Sequence, residues 1–541
     1  MPDFCMDEDL LREMYAYCRR DVEVERLAAK ASQPLTDAEF ASFVAAEKIN
    51  DAGLHVDVKF ADAAGNYAEQ EVAQISDELS RLTDGEVTSP RQYQRLKDLL
   101  LPYADQDDRI QDAMTVTKKD RRTGEETSKT ALDRDARRKL LELVEADPDI
   151  LPDDVVEVIN LIDEAGRSSV HKFNAMVSRS GDAGRVQGAY MFSGAGQTGR
   201  FSSVGLQVHN FPRRCAQDPD QVRDDVIKGR GLDNVMDTLA SMLRPSIVAP
   251  DGYTFVCGDW SAIEARILPW LTDSHGGREV LDVFNTNDAD PDLPDIYKVE
   301  YGKAYGKPAA DVTKSERAIG KVLVLALGYQ GGYRAFQAMA RAYQVSMPDE
   351  EAEGLKEIWR ANNAWAVEFW YDLQNAAMDA VRYPGSEQRV GRLTYYKPAT
   401  DPSTPLYCFL PSGRPLAYPF ARIDVDEDHP NRPDVLSAIK ATWKPKRGES
   451  EWPRINLYGG LLAENATQGV GACILRAAMA DLVERDWPVV GHTHDELLLE
   501  VEDSEVDEAT EELRLAMTDL PTWTDGLPMA VEIWSGRRYR K

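Results

Sequence analysis

Long apolar runs are absent: no stretch of the 541 residues stays hydrophobic for the roughly 18 residues that a membrane-crossing helix needs, which excludes a spanning protein. The start, Met1-Pro-Asp-Phe-Cys-Met-Asp-Glu, lacks the basic-then-apolar character of a secretory leader and predicts a cytoplasmic location. Cysteine is sparse, with six residues at positions 5, 18, 215, 257, 408 and 473 and no CxxC pair, so neither a zinc framework nor a disulfide scaffold is expected. Positive charge is also short: 63 Lys and Arg stand against 93 Asp and Glu, a net −30. That balance argues against a general nucleic-acid binder, whose footprint is basic. A nucleic-acid role is compatible with it only if the cations gather in one cleft and the acids lie elsewhere. There are no internal repeats and no low-complexity segments, and the length exceeds one core, so roughly two to four subdomains are expected.

What is present begins with a helical pattern over 7–31, where Leu10, Leu11, Met14, Tyr17 and Cys18 recur at helical spacing and Pro34 follows. Thr36 and Glu39 have capping-box spacing for the next helix, and 37–100 reads as mostly helical, broken at Gly53 and at Gly85 to Pro90. Residues 115–130 are polar, charged and without period, which predicts an exposed tip or loop; 131–176 return to helix. Gly181 to Phe192 reads as strand or hairpin and Ser193 to Arg200 as a Gly-rich loop. A polar connection is expected over 276–295, a helical block over 314–382, short strands over 386–423 and a surface excursion over 424–453. Helix returns at about 459–485, followed by a hairpin, a helix near 504–518 and a closing strand from Met529 to Trp534.

Two acidic turns carry the most chemistry. Tyr253 to Cys257 is a β-branched, aromatic strand; Gly258 is expected to break it, Asp259 to sit at its end, and Ser261 to cap a helix with Ile263, Glu264 and Arg266. Val489 to Val501 reads as strand, tight turn, strand, with Asp495 and Glu496 at the turn. If the two strands are neighbours, Asp259 and Asp495 face each other across one sheet edge, an arrangement suited to two hard divalent cations. An acidic residue at a strand-to-helix turn is more often a cap, and it is the second turn that favours the metal reading. Between them lie Arg317, Lys321, Leu325 and Tyr329, four apart and so on one helix face. Two cations, an apolar residue and an aromatic ring match the order of a nucleoside triphosphate, phosphates first and base last. The plain alternative is an amphipathic surface helix. Gln197 to Arg214, with Arg200, Gln207, His209 and Asn210, is a polar loop suited to a sugar–phosphate backbone. Ala463 to Gly469, with Gln468, opens an apolar helix and has an N-cap as its bland reading.

In this order the four stretches resemble the family A DNA polymerases, the DNA polymerase I-like group, and phage-type members above all. The Asp259 stretch is similar to motif A, the Arg-x3-Lys-x3-x-x3-Tyr helix to motif B, and His494-Asp495-Glu496 to motif C. Thr198-Gly-Arg200-Phe-Ser-Ser resembles the loop before motif A, and Gln468 a primer-contacting glutamine. The resemblance implies an α+β right hand with a palm of antiparallel sheet and helical fingers and thumb. Its boundaries would be a remnant of a 3′–5′ exonuclease at 1–34, thumb 35–180, palm 181–275, fingers 276–455 with a strand-rich insertion near 386–423, and palm again 456–541. It further implies two Mg²⁺ ions, replaceable by Mn²⁺, on Asp259, Asp495 and the backbone carbonyl of Trp260. Asp259, Asp495 and Lys321 would be catalytic. Arg317, Lys321, Leu325, Tyr329 and Glu264 would take the nucleotide, with Glu264 rejecting a 2′-hydroxyl. Arg200, Gln207, His209, Asn210, Gln468 and His494 would contact primer–template, as would Lys118, Lys119, Arg121 and Arg122 at the thumb tip. Glu496 and Arg266 would support. The implied partners are primer–template DNA and dNTPs, with a separately encoded exonuclease, helicase or processivity factor. The chain would act as a monomer in the cytoplasm of a phage-infected host, in genome replication.

This sequence departs from that pattern in three places. Leu325 stands where the family has Phe or Tyr, and Gly460 and Leu461 where a basic primer contact is expected. Tyr17-Cys-Arg-Arg-Asp21 is similar to the last exonuclease motif, but one carboxylate cannot build a two-metal site, so no proofreading is expected from these residues. A single-subunit RNA polymerase shares the palm logic, and Glu264 argues against it. His492-Thr-His494-Asp495 imitates an HxH metallohydrolase pair, but the chain has seven histidines in all and the others are dispersed. A non-catalytic DNA-binding scaffold is opposed by intact Asp259, Lys321 and Asp495.

Overall fold

The computed structural model describes residues 7–32, 34–119, 126–166, 168–343, 345, 347–424, 434–440 and 452–540. An antiparallel four-stranded sheet joins two distant parts of the chain, in the order Val489–Thr493, Glu496–Glu502, Tyr253–Trp260, Val531–Gly536. Phe255, Val256 and Cys257 on the Tyr253–Trp260 strand and Leu497 and Leu499 on its neighbour are fully buried. Each such side chain stabilises the fold by about 1.5–3 kcal/mol. The strand does not stop at Gly258. Glycine lets another element come close: a Cβ there would lie 2.4 Å from Met517 Sδ on the Val506–Thr518 helix that packs across the sheet, and the Met517 side chain would have to shift. Ser261 does not cap the next helix either. The chain enters Ile263–Thr272 through Ala262 in the left-handed region, φ 53°, with no side-chain cap bond.

Helices surround the sheet on an α+β plan, as expected from sequence. Gly459–Glu484 is a buried helix running along the centre of the molecule; it starts at Gly459, so Glu464 and Gln468 lie inside it and are not caps. Leu79, Leu96, Leu100, Leu140 and Ile159 build a second, separate core among the helices of 58–165. Residues 276–295, read as a polar connection, are largely the helix His275–Ala289, whose Val280, Leu281 and Phe284 are buried. Within the tip at 115–130, Thr115–Lys119 pairs as an antiparallel strand with Glu126–Thr130 where irregular chain was read. The Gly-rich loop shrinks to 196–199, because strand Tyr190–Ala195 pairs through an irregularity with Arg200–Ser203. The excursion at 424–453 contains Val435–Ile439, which pairs with Arg422–Asp424 and Arg454–Asn456 and buries Leu436 and Ala438. Short strands over 386–418 form a four-stranded antiparallel sheet. The Glu8–Ala31 helix forms as its periodicity predicts, but Leu10, Met14, Tyr17, Val22 and Leu27 remain exposed. No helix among the described residues is long and apolar enough to cross a membrane.

Candidate active site

Strand pairing brings the two acidic turns together. Asp259 stands opposite Glu496 in register, and the Trp260 N–H donates to the Asp495 carbonyl at 3.1 Å. Asp259, Trp260 and Asp495 all line one cleft of about 720 Å³. The turn is closed by His494 at φ 55°, a conformation uncommon for non-glycine residues, though histidine adopts it more readily than most, and often found at functional sites. Glu496 faces the interior: it accepts from Arg244 Nη1 at 3.2 Å and from the Tyr539 hydroxyl, and Arg244 lies over the Tyr539 ring at 4.9 Å. Arg266 is buried too, paired with both oxygens of Asp288 at 2.5 and 2.7 Å and donating to the Ser261 carbonyl at 2.8 Å. Of the two expected supporting residues, Glu496 sits behind the cleft, whereas Arg266 and its partner Asp288 form part of the cleft wall.

The donor set decides which metal fits. No three His, Cys, Asp or Glu side chains among the described residues form a cage. Two carboxylates at a strand end suit Mg²⁺, which is commonly held by one or two carboxylates and completes its shell with water and phosphate oxygens. They do not suit a structural zinc, which takes four protein ligands.

The Lys314–Leu327 helix is fixed by a capping box from Thr313 and Glu316, and Lys307 on Glu316 lowers that carboxyl to about 2. Gly320 lets it press against the Ile296–Tyr305 helix, since a Cβ would sit 2.0 Å from the Tyr297 carbonyl. The Tyr297 ring is thereby placed under the two cations, 5.0 Å from the Arg317 guanidinium and 5.8 Å from Lys321 Nζ. Lys321 also lies 5.6 Å from the Tyr343 ring. Arg317 donates to Asp295 at 2.5 Å. Arg317, Lys321 and Leu325 share the cleft with the aspartates, so three of the four residues of the predicted helix face meet the predicted turns, while Tyr329 lines the adjoining apolar hollow instead.

Glu264 is the junction of the remaining residues. It accepts from Arg200 Nη2 and, at 3.4 Å, from the Tyr329 hydroxyl. Burial, then the Glu264 charge, raises the Tyr329 phenol well above its ordinary value and moves Glu464 upward as well. Gln468 donates to Glu464 at 3.0 Å. Gly460, where a basic residue was expected, has no room for one: a Cβ would lie 2.2 Å from the Tyr329 carbonyl. Leu325 lines the cleft and also the small apolar hollow beside Tyr329.

His209 packs behind His494, with ring centroids 5.2 Å apart, and its carbonyl lies 3.1 Å from His494 Nε2. Burial, helped by His494, lowers His209 to about 4, and burial lowers His494 as well. Gln207 and Asn210 are exposed, and Lys172 Nζ donates to both of their carbonyls. Lys118 and Lys119 lie in the hairpin strand, where only the backbone is described; Arg121 and Arg122 lie outside the described residues. Sequence reasoning missed Asp295 and Tyr297, which only helix packing brings to Arg317. It also missed Glu532, which pairs with Asp259 from the other flanking strand and lines the cleft. The sequence signal for Glu532 was the closing strand, read without its register.

No family model matches the chain. It is 29% identical over 547 aligned residues to a DNA polymerase of Bacillus phage SP02, covering 99% of this chain and 76% of that protein. It is 24% identical over 363 residues to DNA polymerase I of Pseudomonas aeruginosa, covering 66% of this chain and 30% of that longer protein. In fold it is similar to the polymerase domain of Pol1 from M. smegmatis, solved in complex with DNA primer-template and dNTP. The TM-score is 0.59 at 18% identity, over 93% of this chain and 70% of that one.

Proposed function

We propose that this chain is a DNA polymerase I-like DNA polymerase that extends a primer 3′ end with dNTPs on a DNA template, using two divalent cations at the Asp259–Asp495 edge. One observation carries the reading: both aspartates open on the same cleft as Arg317 and Lys321. The primer 3′-oxygen attacks the α-phosphorus, the bond from that phosphorus to the oxygen bridging to the β-phosphate breaks, and pyrophosphate leaves. Mg²⁺, when bound, supplies charge neutralisation for the attacking and leaving oxygens and lowers the pKa of the 3′-hydroxyl. Asp259 and Asp495, with the Trp260 carbonyl, are the groups that would hold it. Arg317 exchanges Asp295 for phosphate oxygens, and Lys321 stands where the leaving pyrophosphate takes up a proton. Glu264, fixed by Arg200 and Tyr329, excludes a 2′-hydroxyl, while Leu325 and Tyr329 flank the base. Arg200, Gln468 and His494 contact the primer–template end, and the helical 35–180 region, with its own core, acts as thumb. The palm comprises 181–275 and 456–541, and the fingers comprise 276–455. Likeness to a phage polymerase along the chain supports phage genome replication in the host cell. The single exonuclease-like carboxylate, Asp21, lies on the exposed first helix, and the proposed function is polymerisation alone.

Extension of a labelled primer on a DNA template with Mg²⁺ and either dNTPs or rNTPs tests this. Extension with dNTPs alone is expected. Extension with rNTPs moves the reading to an RNA polymerase, and tight DNA binding without extension overturns catalysis.

A further inference from the structure

The hairpin of Leu406–Phe409 and Pro415–Tyr418 belongs to the strand-rich stretch, away from both acidic turns, yet its tip reaches the elements that support the cleft. Arg414, half-buried at that tip, donates from Nη2 to the carbonyls of Thr198 and Gly469, each at 2.8 Å, and its Nε lies 3.1 Å from Cys473 Sγ. Thr198 is two residues before Arg200, and Gly469 directly follows Gln468. Flanking bonds tie the same three elements: Gln197 to the Ala417 carbonyl at 3.4 Å, Asn465 to the Tyr418 hydroxyl at 3.3 Å, and Ser412 to Cys473 Sγ at 3.2 Å.

Glycines make room for this seat. At Gly199, φ 71°, a Cβ would be 2.3 Å from Arg414 Nη1; at Gly469 it would be 3.0 Å from Leu410 and 3.2 Å from Leu416. The guanidinium spends its bonds on two backbone carbonyls and a sulfur, not on a carboxylate. It therefore fixes the distance between a loop and a helix and does not balance a charge.

We propose that Arg414 is a positioning residue for the polymerase site: by clasping the loop that ends at Arg200 to the Gly459–Glu484 helix, it sets where Arg200 meets the primer end. This rests on the polymerase reading. Arg414 touches no reacting atom and acts through Arg200, whose own partner is Glu264. Loosening such a support by a fraction of an ångström slows chemistry more than it weakens ground-state binding, by about tenfold to a hundredfold.

The test is a double-mutant cycle by single-turnover incorporation of one correct dNTP, with primer–template affinity and thermal unfolding measured on each protein. Arg414→Met is expected to slow incorporation about tenfold or more with DNA affinity unchanged, and to add less than about twofold to Arg200→Ala. Arg414→Lys, which keeps a donor and the charge, is expected to recover part of the rate, and it carries the cycle if Arg414→Met does not fold. Losses that multiply on the Arg200→Ala background, or an unchanged rate in Arg414→Met, overturn the proposal while leaving the polymerase reading intact. A wild-type protein that extends no primer overturns both.

Discussion

Asp495 and Glu496 are adjacent in sequence and separate in surroundings. Asp495 lines the cleft beside Asp259, whereas Glu496 is buried against Arg244 and Tyr539. The same division runs through the cations: Arg317 and Lys321 face the cleft over one tyrosine ring, while Arg244 is sealed away from it with Glu496 as its carboxylate partner. The front row holds charge where a ligand can reach it; the back row holds charge in place to fix the sheet. Mutating the front should cost chemistry, and mutating the back should cost stability.

The largest expected effect is on the front row. Asp259→Ala should lower single-turnover incorporation by about a thousandfold, several kcal/mol of transition-state stabilisation, with unfolding temperature and DNA affinity nearly unchanged. Glu496→Ala should do the reverse, costing about 3–5 kcal/mol in denaturant unfolding because Arg244 is left buried without its partner. If the two variants lose stability equally, the division fails.

A third outcome concerns pH. His209 is held near 4 in the fold, below the ordinary histidine value of about 6.5, so the unfolded chain takes up the proton first. Its contribution, at most about 3 kcal/mol, is fully present above about pH 6.5 and is lost as pH falls toward 4. His209→Phe should reduce the slope of the unfolding free energy across that window, with the buried His492 and His494 supplying the slope that remains, measured by urea titration at several pH values.

Smaller effects sharpen the front row itself. Glu264→Ala should relax discrimination against rNTPs by about tenfold to a hundredfold in kcat/KM, since the carboxylate that rejects the hydroxyl is gone. Asp295→Asn keeps the helix cap but releases Arg317, and should tighten dNTP binding by no more than about fivefold, as fits a partly exposed ion pair. Weaker dNTP binding would mean that Asp295 orients Arg317 productively instead of competing for it.

The front row was largely legible in the sequence because its signals are local. A β-branched strand leading into Asp259, a tight turn at Asp495 and a four-residue cationic repeat each declare themselves within a dozen positions. Of the back row only Glu496 was named from the sequence, as a supporting residue; its partners Arg244 and Tyr539 were not, because the three meet only through strand register and the return of the chain's end. Gly258 shows the same limit: it read as a strand breaker, but its reason lies in Met517, far along the chain. The polar composition of 276–295 hid a helix whose few apolar residues are enough to dock it. Arg414 carried no motif at all; its partners are two carbonyls and a thiol drawn from separate segments.

The central claim is that Asp259 and Asp495 together hold the divalent cations of nucleotidyl transfer. Its most direct test is a Mn²⁺ titration, followed by loss of the free-ion paramagnetic resonance signal. It would use the protein bound to a dideoxy-terminated primer–template and the matching dNTP. Wild type is expected to bind two ions, and Asp259→Ala and Asp495→Ala are each expected to lose that binding while retaining DNA. Full Mn²⁺ binding in either variant would contradict the account.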